Sequence, residues 1–359
     1  MKKIAFFLLL IIIPFNSYAL TDTAKSTIAM DMDSGRILYE KNASEQRLIA
    51  SITKIMTAVV AIENGNLNEE ITVGEEVLRM YGSNIYIELG EKMTLKDLLY
   101  GLLLRSGNDA AVVIANNVGK DEEDFVEMMN KKAKELGMKN TIFKNSHGLD
   151  EETKNYSSAK DMAILSSYAN TLPVYKEISK TKKWTVQSDK KSYVWNNRNK
   201  LLYSYKYATG GKTGYTPKAG RTLVTTASKD NLNLTIVTLN DANEYQTHES
   251  LYEYCFNKYN EFLIIDKNNF DIDDNFYKGD LYIKKSFSYP LTKKEESLVN
   301  VIVKLDKIDN YKNDSQVGNV VVNLKDKKVF ETEVYIKKEK DKKENLFKRI
   351  LHFFKKLFK

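Results

Sequence analysis

Ile49-Ala-Ser-Ile-Thr-Lys-Ile-Met-Thr57 sets a serine and a lysine at the mouth of a helix. Residues 52–63 place apolar side chains at helical spacing and stop at Asn64-Gly65, so the pattern predicts a helix opening at Ser51. Ser51 and Lys54, three positions apart, share one face of that helix. A serine hydroxyl is a weak nucleophile until a neighbouring base takes its proton, and a buried lysine can be that base. Taken alone, the pair equally fits a helix N-cap followed by a solvated lysine.

Two further motifs shift the balance. Ser106-Gly-Asn108 follows about 55 residues later, between predicted helices at 95–104 and 110–118. Lys212-Thr-Gly214 lies just before a strand-forming stretch that begins at Arg221. Each motif is cheap by chance, but the order S-x-x-K, S-x-N, K-T-G in these contexts is a strong joint signal. Ser106 can relay a proton to a leaving amine, Asn108 can hold a substrate amide, and Lys212 with Thr213 suits a carboxylate. Burial and the nearby Lys212 cation are both expected to lower the Lys54 pKa.

Other chemistries fit less well. A phosphate-binding loop ending at Lys212-Thr213 requires glycine at 206, where the chain has Lys206. Only His147, His248 and His352 occur, with no G-x-S-x-G elbow and no H-E-x-x-H helix. Cys255 is the lone cysteine, so no internal disulfide can form. The net charge of +7 also points away from nucleic acid once it is located. Residues 337–359 carry ten basic and three acidic side chains, leaving the rest near neutral.

Along the chain, residues 1–19 read as a signal peptide, with Lys2 and Lys3 ahead of the apolar run 4–13 and small residues at Ser17-Tyr18-Ala19. A hairpin at 26–40 and helices at 52–63, 95–104, 110–118, 125–136 and 161–169 follow. Strands at 184–187, 221–228 and 232–239 and a helix at 249–262 complete a domain over 20–262. Strands at both ends of this domain predict one sheet assembled from both termini. Alternating runs separated by polar turns predict a small all-β domain at 263–336.

The last fifteen residues form a separate signal. On a helical wheel, Leu346, Phe347, Ile350, Leu351, Phe353, Phe354, Leu357 and Phe358 oppose Lys348, Arg349, Lys355, Lys356 and Lys359. At ~1.5 Å per residue such a helix is too short to span a bilayer. It is expected to lie in the plane of an anionic membrane surface after a charged linker at 337–344.

The chain resembles the low-molecular-mass penicillin-binding proteins that act as serine D-alanyl-D-alanine carboxypeptidases. The resemblance rests on 49–57, on Leu104-Arg-Ser-Gly-Asn-Asp-Ala-Ala111 and on Asn145-Ser-His-Gly-Leu149 with Ser158-Ala-Lys-Asp-Met-Ala163. Asn197-Arg-Asn-Lys-Leu-Leu202 and Gly211-Lys-Thr-Gly-Tyr-Thr216 complete it. It implies a penicillin-binding/β-lactamase-like α/β (α+β) domain, an antiparallel sheet with helices on both sides. It also implies a nucleophile at Ser51, an oxyanion hole from the amides of Ser51 and Tyr215, and Arg198 organising the site around Lys212.

His147 and Asp161 are expected supports, and Gly214 lines the substrate groove with Thr213 and Tyr215. Expected partners are a peptidoglycan stem peptide, β-lactams as covalent inhibitors and the membrane surface, for an exported monomer needing no cofactor. One departure stands out: 241–248 lacks the arginine that many relatives carry, so the substrate carboxylate falls to Lys212, Thr213 and Arg221. A D,D-endopeptidase, a weak β-lactamase and a silent cell-wall binding protein are the alternative readings.

Overall fold

The computed structural model describes residues 20–338, so the signal peptide at 1–19 and the tail helix at 345–359 lie outside the described residues. The chain divides into two compact units at Lys258/Tyr259, four residues before the boundary expected from the sequence.

The first unit is built on a five-stranded sheet. Its strands are β1 (Ser26–Asp31), β2 (Ile37–Lys41), β3 (Ala208–Thr216), β4 (Gly220–Lys229) and β5 (Leu232–Leu239). Their order is β2-β1-β5-β4-β3 with every pairing antiparallel, so β1 from one end of the unit meets β5 from the other. Asp230 and Asn231 both take positive φ, 51° and 66°, which gives the two-residue turn that joins β4 to β5.

Both faces of the sheet are covered. Thr225 points to α4 (Glu244–Lys258), where its hydroxyl pairs with His248 Nδ1 and Tyr252. Thr235 points the other way and donates to Ser166 of α3 (Ala159–Ala169). A hydrophobic core on the α3 side joins Val224, Val237 and Leu239 to α1 (Lys54–Asn64) and α2 (Asn108–Val118). Ile52, Ile55, Met56 and Val59 of the opening helix, and Val113 and Ile114 of α2, are wholly buried there.

Several elements differ from the sequence reading. The S-x-x-K segment starts in a 3-10 turn, Ala50–Thr53, and α1 begins only at Lys54. The helix read at 95–104 is an α-helix over Leu95–Tyr100 followed by a π-turn over Gly101–Arg105. The helix read at 249–262 runs from Glu244 to Lys258, and Asn260–Ile265 is already a strand. His248 explains the earlier start, since Thr225 and Thr238 clamp its two ring nitrogens inside the unit. Lys212-Thr-Gly214 does not precede the sheet but belongs to it, in edge strand β3.

The second unit is all β among the described residues, apart from a short 3-10 turn at Glu296–Leu298. Gly279–Ile283, Lys327–Lys338, Gln316–Leu324 and Val299–Leu305 form a four-stranded antiparallel sheet in that order. Val317, Val320, Val322, Val334 and Ile336 are buried in its core with Phe287 and Tyr289.

Candidate active site

Three separated pieces of chain converge around Ser51 and Lys54. Ala50 holds a left-handed backbone, φ 49°, costing about 1–2 kcal/mol for a residue with a side chain. The kink turns the chain sharply from the extended Arg47–Leu48 segment into the 3-10 turn that carries Ser51. From the next turn, the wholly buried Lys54 sends its Nζ back to Ser51 Oγ at 3.1 Å. The same amine donates to Asn108 Oδ1 at 2.7 Å and to the His147 carbonyl.

The second piece supplies Ser106 and Asn108. Ser106 closes the π-turn in a left-handed conformation, φ 64°, and Asn108 opens α2. Asn108 is fixed twice by a strap of chain ahead of it: its Nδ2 donates to the Tyr81 carbonyl at 2.7 Å and its amide to the Ser83 carbonyl at 2.7 Å. Sequence reasoning missed this strap, which has no motif of its own.

The third piece is edge strand β3. Register pairs Lys212 with Val224 and Gly214 with Thr222, which puts both on the face toward Ser51. Lys212, buried like Lys54, donates from Nζ to Ser106 Oγ at 3.0 Å and to the Thr213 carbonyl at 2.8 Å. Gly214 has no room for a side chain: a Cβ there would sit 2.4 Å from Thr222 Oγ1 and 2.9 Å from the Ser51 amide nitrogen. The strand therefore lies directly against the Ser51 backbone amide. Gly148, with φ +88°, does the same on the other side, since a Cβ would fall 2.1 Å from the Ala50 carbonyl. That close approach is what brings the His147 carbonyl to Lys54.

The electrostatics follow from burial. Neither Lys54 nor Lys212 has an ion-pair partner among the described residues, so hydrogen bonds to neutral groups are what each buried amine has in place of water. Burial lowers the Lys54 pKa to about 7, with Asp109 opposing and Arg198 adding to the depression. Lys212 is pushed well below the usual lysine range by burial first, then by Lys54 and Arg198. Arg198 thus acts on Lys54 beside the mutual repulsion of Lys54 and Lys212 expected from the sequence. His147 is also held neutral, its pKa lowered to about 3 by burial and by Lys54.

Arg198 reaches the site between two buried asparagines. Asn199 Nδ2 donates to the Gly210 carbonyl of β3 at 3.0 Å, and Asn197 Nδ2 to the Ser179 carbonyl at 3.2 Å. The guanidinium itself donates to Ser83 Oγ at 2.7 Å. Thr213 and Tyr215 are on the opposite face of β3 from Lys212, Tyr215 being 61% exposed. Arg221 pairs with Tyr215 across the register, lies over its ring at 5.6 Å and meets Glu244 at 3.4 Å. Asp161 stands further off and accepts from the Asn140 amide and the Thr141 hydroxyl. The structure thus gathers Ser51, Lys54 and Asn108 into one hydrogen-bonded group and Ser106 with Lys212 into a second.

Comparison with known proteins agrees with this geometry. A family model described as D-alanyl-D-alanine carboxypeptidase, peptidase S11, matches residues 15–243. The D-alanyl-D-alanine carboxypeptidase DacF of Bacillus subtilis is 35% identical over 315 residues, covering 83% of this chain and 80% of that protein. DacA of Haemophilus influenzae is 36% identical over 219 residues, 58% of this chain and only 54% of its own length. Penicillin binding protein 5 from Haemophilus influenzae superposes with a TM-score of 0.75 at 28% identity, over 88% of this chain and 97% of that one. The chain belongs to the S11 peptidases, the serine-type D-alanyl-D-alanine carboxypeptidases of the low-molecular-mass penicillin-binding group.

Proposed function

We propose that Ser51 attacks the carbonyl between the last two D-alanines of a peptidoglycan stem pentapeptide, releasing the terminal residue through an acyl-enzyme. The observation that carries this reading is the Lys54 amine, 3.1 Å from Ser51 Oγ with its pKa lowered to about 7. In its free form it takes the hydroxyl proton as the Oγ–C bond forms. Negative charge on the carbonyl oxygen falls to the amides of Ser51 and Tyr215; the absent side chain at Gly214 lets β3 lie against the Ser51 amide. The C–N bond then breaks, and the proton that Lys54 took from Ser51 passes through the Ser106 hydroxyl, held by Lys212, to the departing amine, which frees the Lys54 base again. Water attacks the ester in the same way and restores Ser51. Penicillin acylates the same oxygen and leaves slowly.

Asn108 orients the substrate amide opposite the open edge of β3, along which an extended peptide can add as a further strand. Its terminal carboxylate meets Thr213 and the exposed Arg221, whose side chain is 57% accessible. Incubated with the pentapeptide, the enzyme is expected to yield the tetrapeptide and free D-alanine by mass. Arg221→Gln should weaken cleavage of the free acid but not of the C-terminal amide. Cleavage only of cross-linked dimers would replace this reading by an endopeptidase.

For localisation, we infer export through residues 1–19 and attachment to the outer face of the cytoplasmic membrane through 345–359. The β unit then serves as a spacer or an interaction platform. Deleting 345–359 is expected to move activity from the membrane pellet to the supernatant; unchanged sedimentation would refute the anchor.

A further inference from the structure

The strap that holds Asn108 carries a feature the proposed chemistry does not use. Tyr86 has a left-handed backbone, φ 63°, yet is neither glycine nor asparagine, and its side chain is 70% exposed. Strain of this kind persists only where surrounding structure imposes it. Here the imposing group is Asp109, buried next to Asn108 in sequence. Its Oδ2 accepts from the Tyr86 amide at 2.7 Å, and its Oδ1 from the Ile85 amide at 3.0 Å.

Ile85 and Ile87 are sunk in the core on either side of Tyr86, so the ring between them is turned outward. The Tyr86 carbonyl is held too, accepting from Lys191 Nζ at 2.9 Å and more distantly from the Tyr193 hydroxyl. Three hydrogen bonds to its own amide and carbonyl, with a fourth at the Ile85 amide, thus fix the backbone of one exposed aromatic residue. Its ring stacks on no other ring among the described residues.

The position of the ring relates it to the site. Ser83 of the same strap accepts from Arg198, the cation that acts on both buried lysines. Tyr86 follows three residues later on that strap, near enough to Arg198 for the two side chains to interact electrostatically. Tyr86 therefore sits at the rim, on the flank that carries Asn108. Leaving-group recognition was assigned above to the other flank, at β3 and Arg221.

We propose that Tyr86 is a specificity residue: a rigid aromatic platform for the stem-peptide residues that precede the scissile bond. A large ring with its backbone already fixed gives contact area at little entropic cost on binding. The ligand class is an extended peptide presenting aliphatic side-chain surface to the ring face, so the ring counts and the hydroxyl does not.

This inference rests on the proposed Ser51 chemistry, and the two fail separately. The test compares kcat/KM for the full pentapeptide with that for acetyl-D-Ala-D-Ala, which has nothing to lay on the ring, under single-turnover conditions with excess enzyme. Tyr86→Ala is expected to lower the pentapeptide value about tenfold, equivalent to one aromatic contact, and to leave the short substrate unchanged. Tyr86→Phe should retain the wild-type value. Tyr86→Asn, which tolerates a left-handed backbone, should match or exceed the wild-type Tm while losing pentapeptide preference.

Equal losses on both substrates would reduce Tyr86 to a structural role, and no loss on either would remove it from the site. A wild-type enzyme that cleaves neither substrate would instead overturn the Ser51 reading.

Discussion

Alanine at position 51 is expected to abolish both D-alanine release and the penicillin adduct seen by mass spectrometry of the intact protein. The loss in kcat should be on the order of 10⁴-fold or more, as when other serine hydrolases lose their nucleophile. The fold should survive, because Ser51 caps no helix through its side chain and is only partly buried. Nor can the second serine take over. Ser106 is bonded to Lys212, and the Lys54 amine is committed to Ser51, Asn108 and the His147 carbonyl. An undiminished adduct on the alanine variant would place the nucleophile elsewhere.

Arginine at position 54 should be almost as damaging, for a reason that tests the base itself. The guanidinium keeps its charge at any working pH and cannot accept the Ser51 proton. A loss of about 10²–10⁴-fold is expected from removal of general-base catalysis. The wild-type pH profile supplies the complementary measurement. Below a pKa of about 7 the Lys54 amine is protonated and inert; above it the free base accumulates. The acylation rate should therefore rise with pH through about 7.

Stability should move in the same direction. The folded pKa lies below that of the unfolded chain, so the unfolded state binds more protons between about 7 and the ordinary lysine value of 10.5. The Lys54 contribution to stability therefore rises with pH across that window. A wild-type rate flat from pH 5 to 9 would remove Lys54 as the base.

Much of the site was legible in the sequence because its motifs are local. Ser51 and Lys54 meet through the i, i+3 geometry of one turn, and Ser106 and Asn108 flank one break between helices. What the sequence concealed depends on contacts between distant segments. Strand β3 carries glycine at 210, 211 and 214, a composition that reads as loop. Its glycines are required by neighbours: Ser179 and Thr226 crowd Gly210, the Val224 carbonyl crowds Gly211, and the Ser51 amide crowds Gly214.

The early start of α4 likewise depends on Thr225 and Thr238, far from His248 in the fold's hydrogen-bond pattern until the sheet forms. The effect of Arg198 on Lys54 was hidden for the same reason, since Arg198 arrives from a separate segment pinned by Asn197 and Asn199.

The glycine-rich edge also bears on how the molecule avoids its own kind. No strand of the described residues covers the outer side of β3, and an open edge of nine residues is a template for pairing with another copy. Self-templated fibres favour segments dense in β-branched and aromatic side chains with few glycines and little charge. Ala-Thr-Gly-Gly-Lys-Thr-Gly-Tyr-Thr carries three glycines in nine residues and a buried lysine at its centre. An edge kept open for one peptide at a time is thereby a weak seed for aggregation. Replacing those glycines with valine, even where space allowed, would trade catalytic access for a surface prone to stacking.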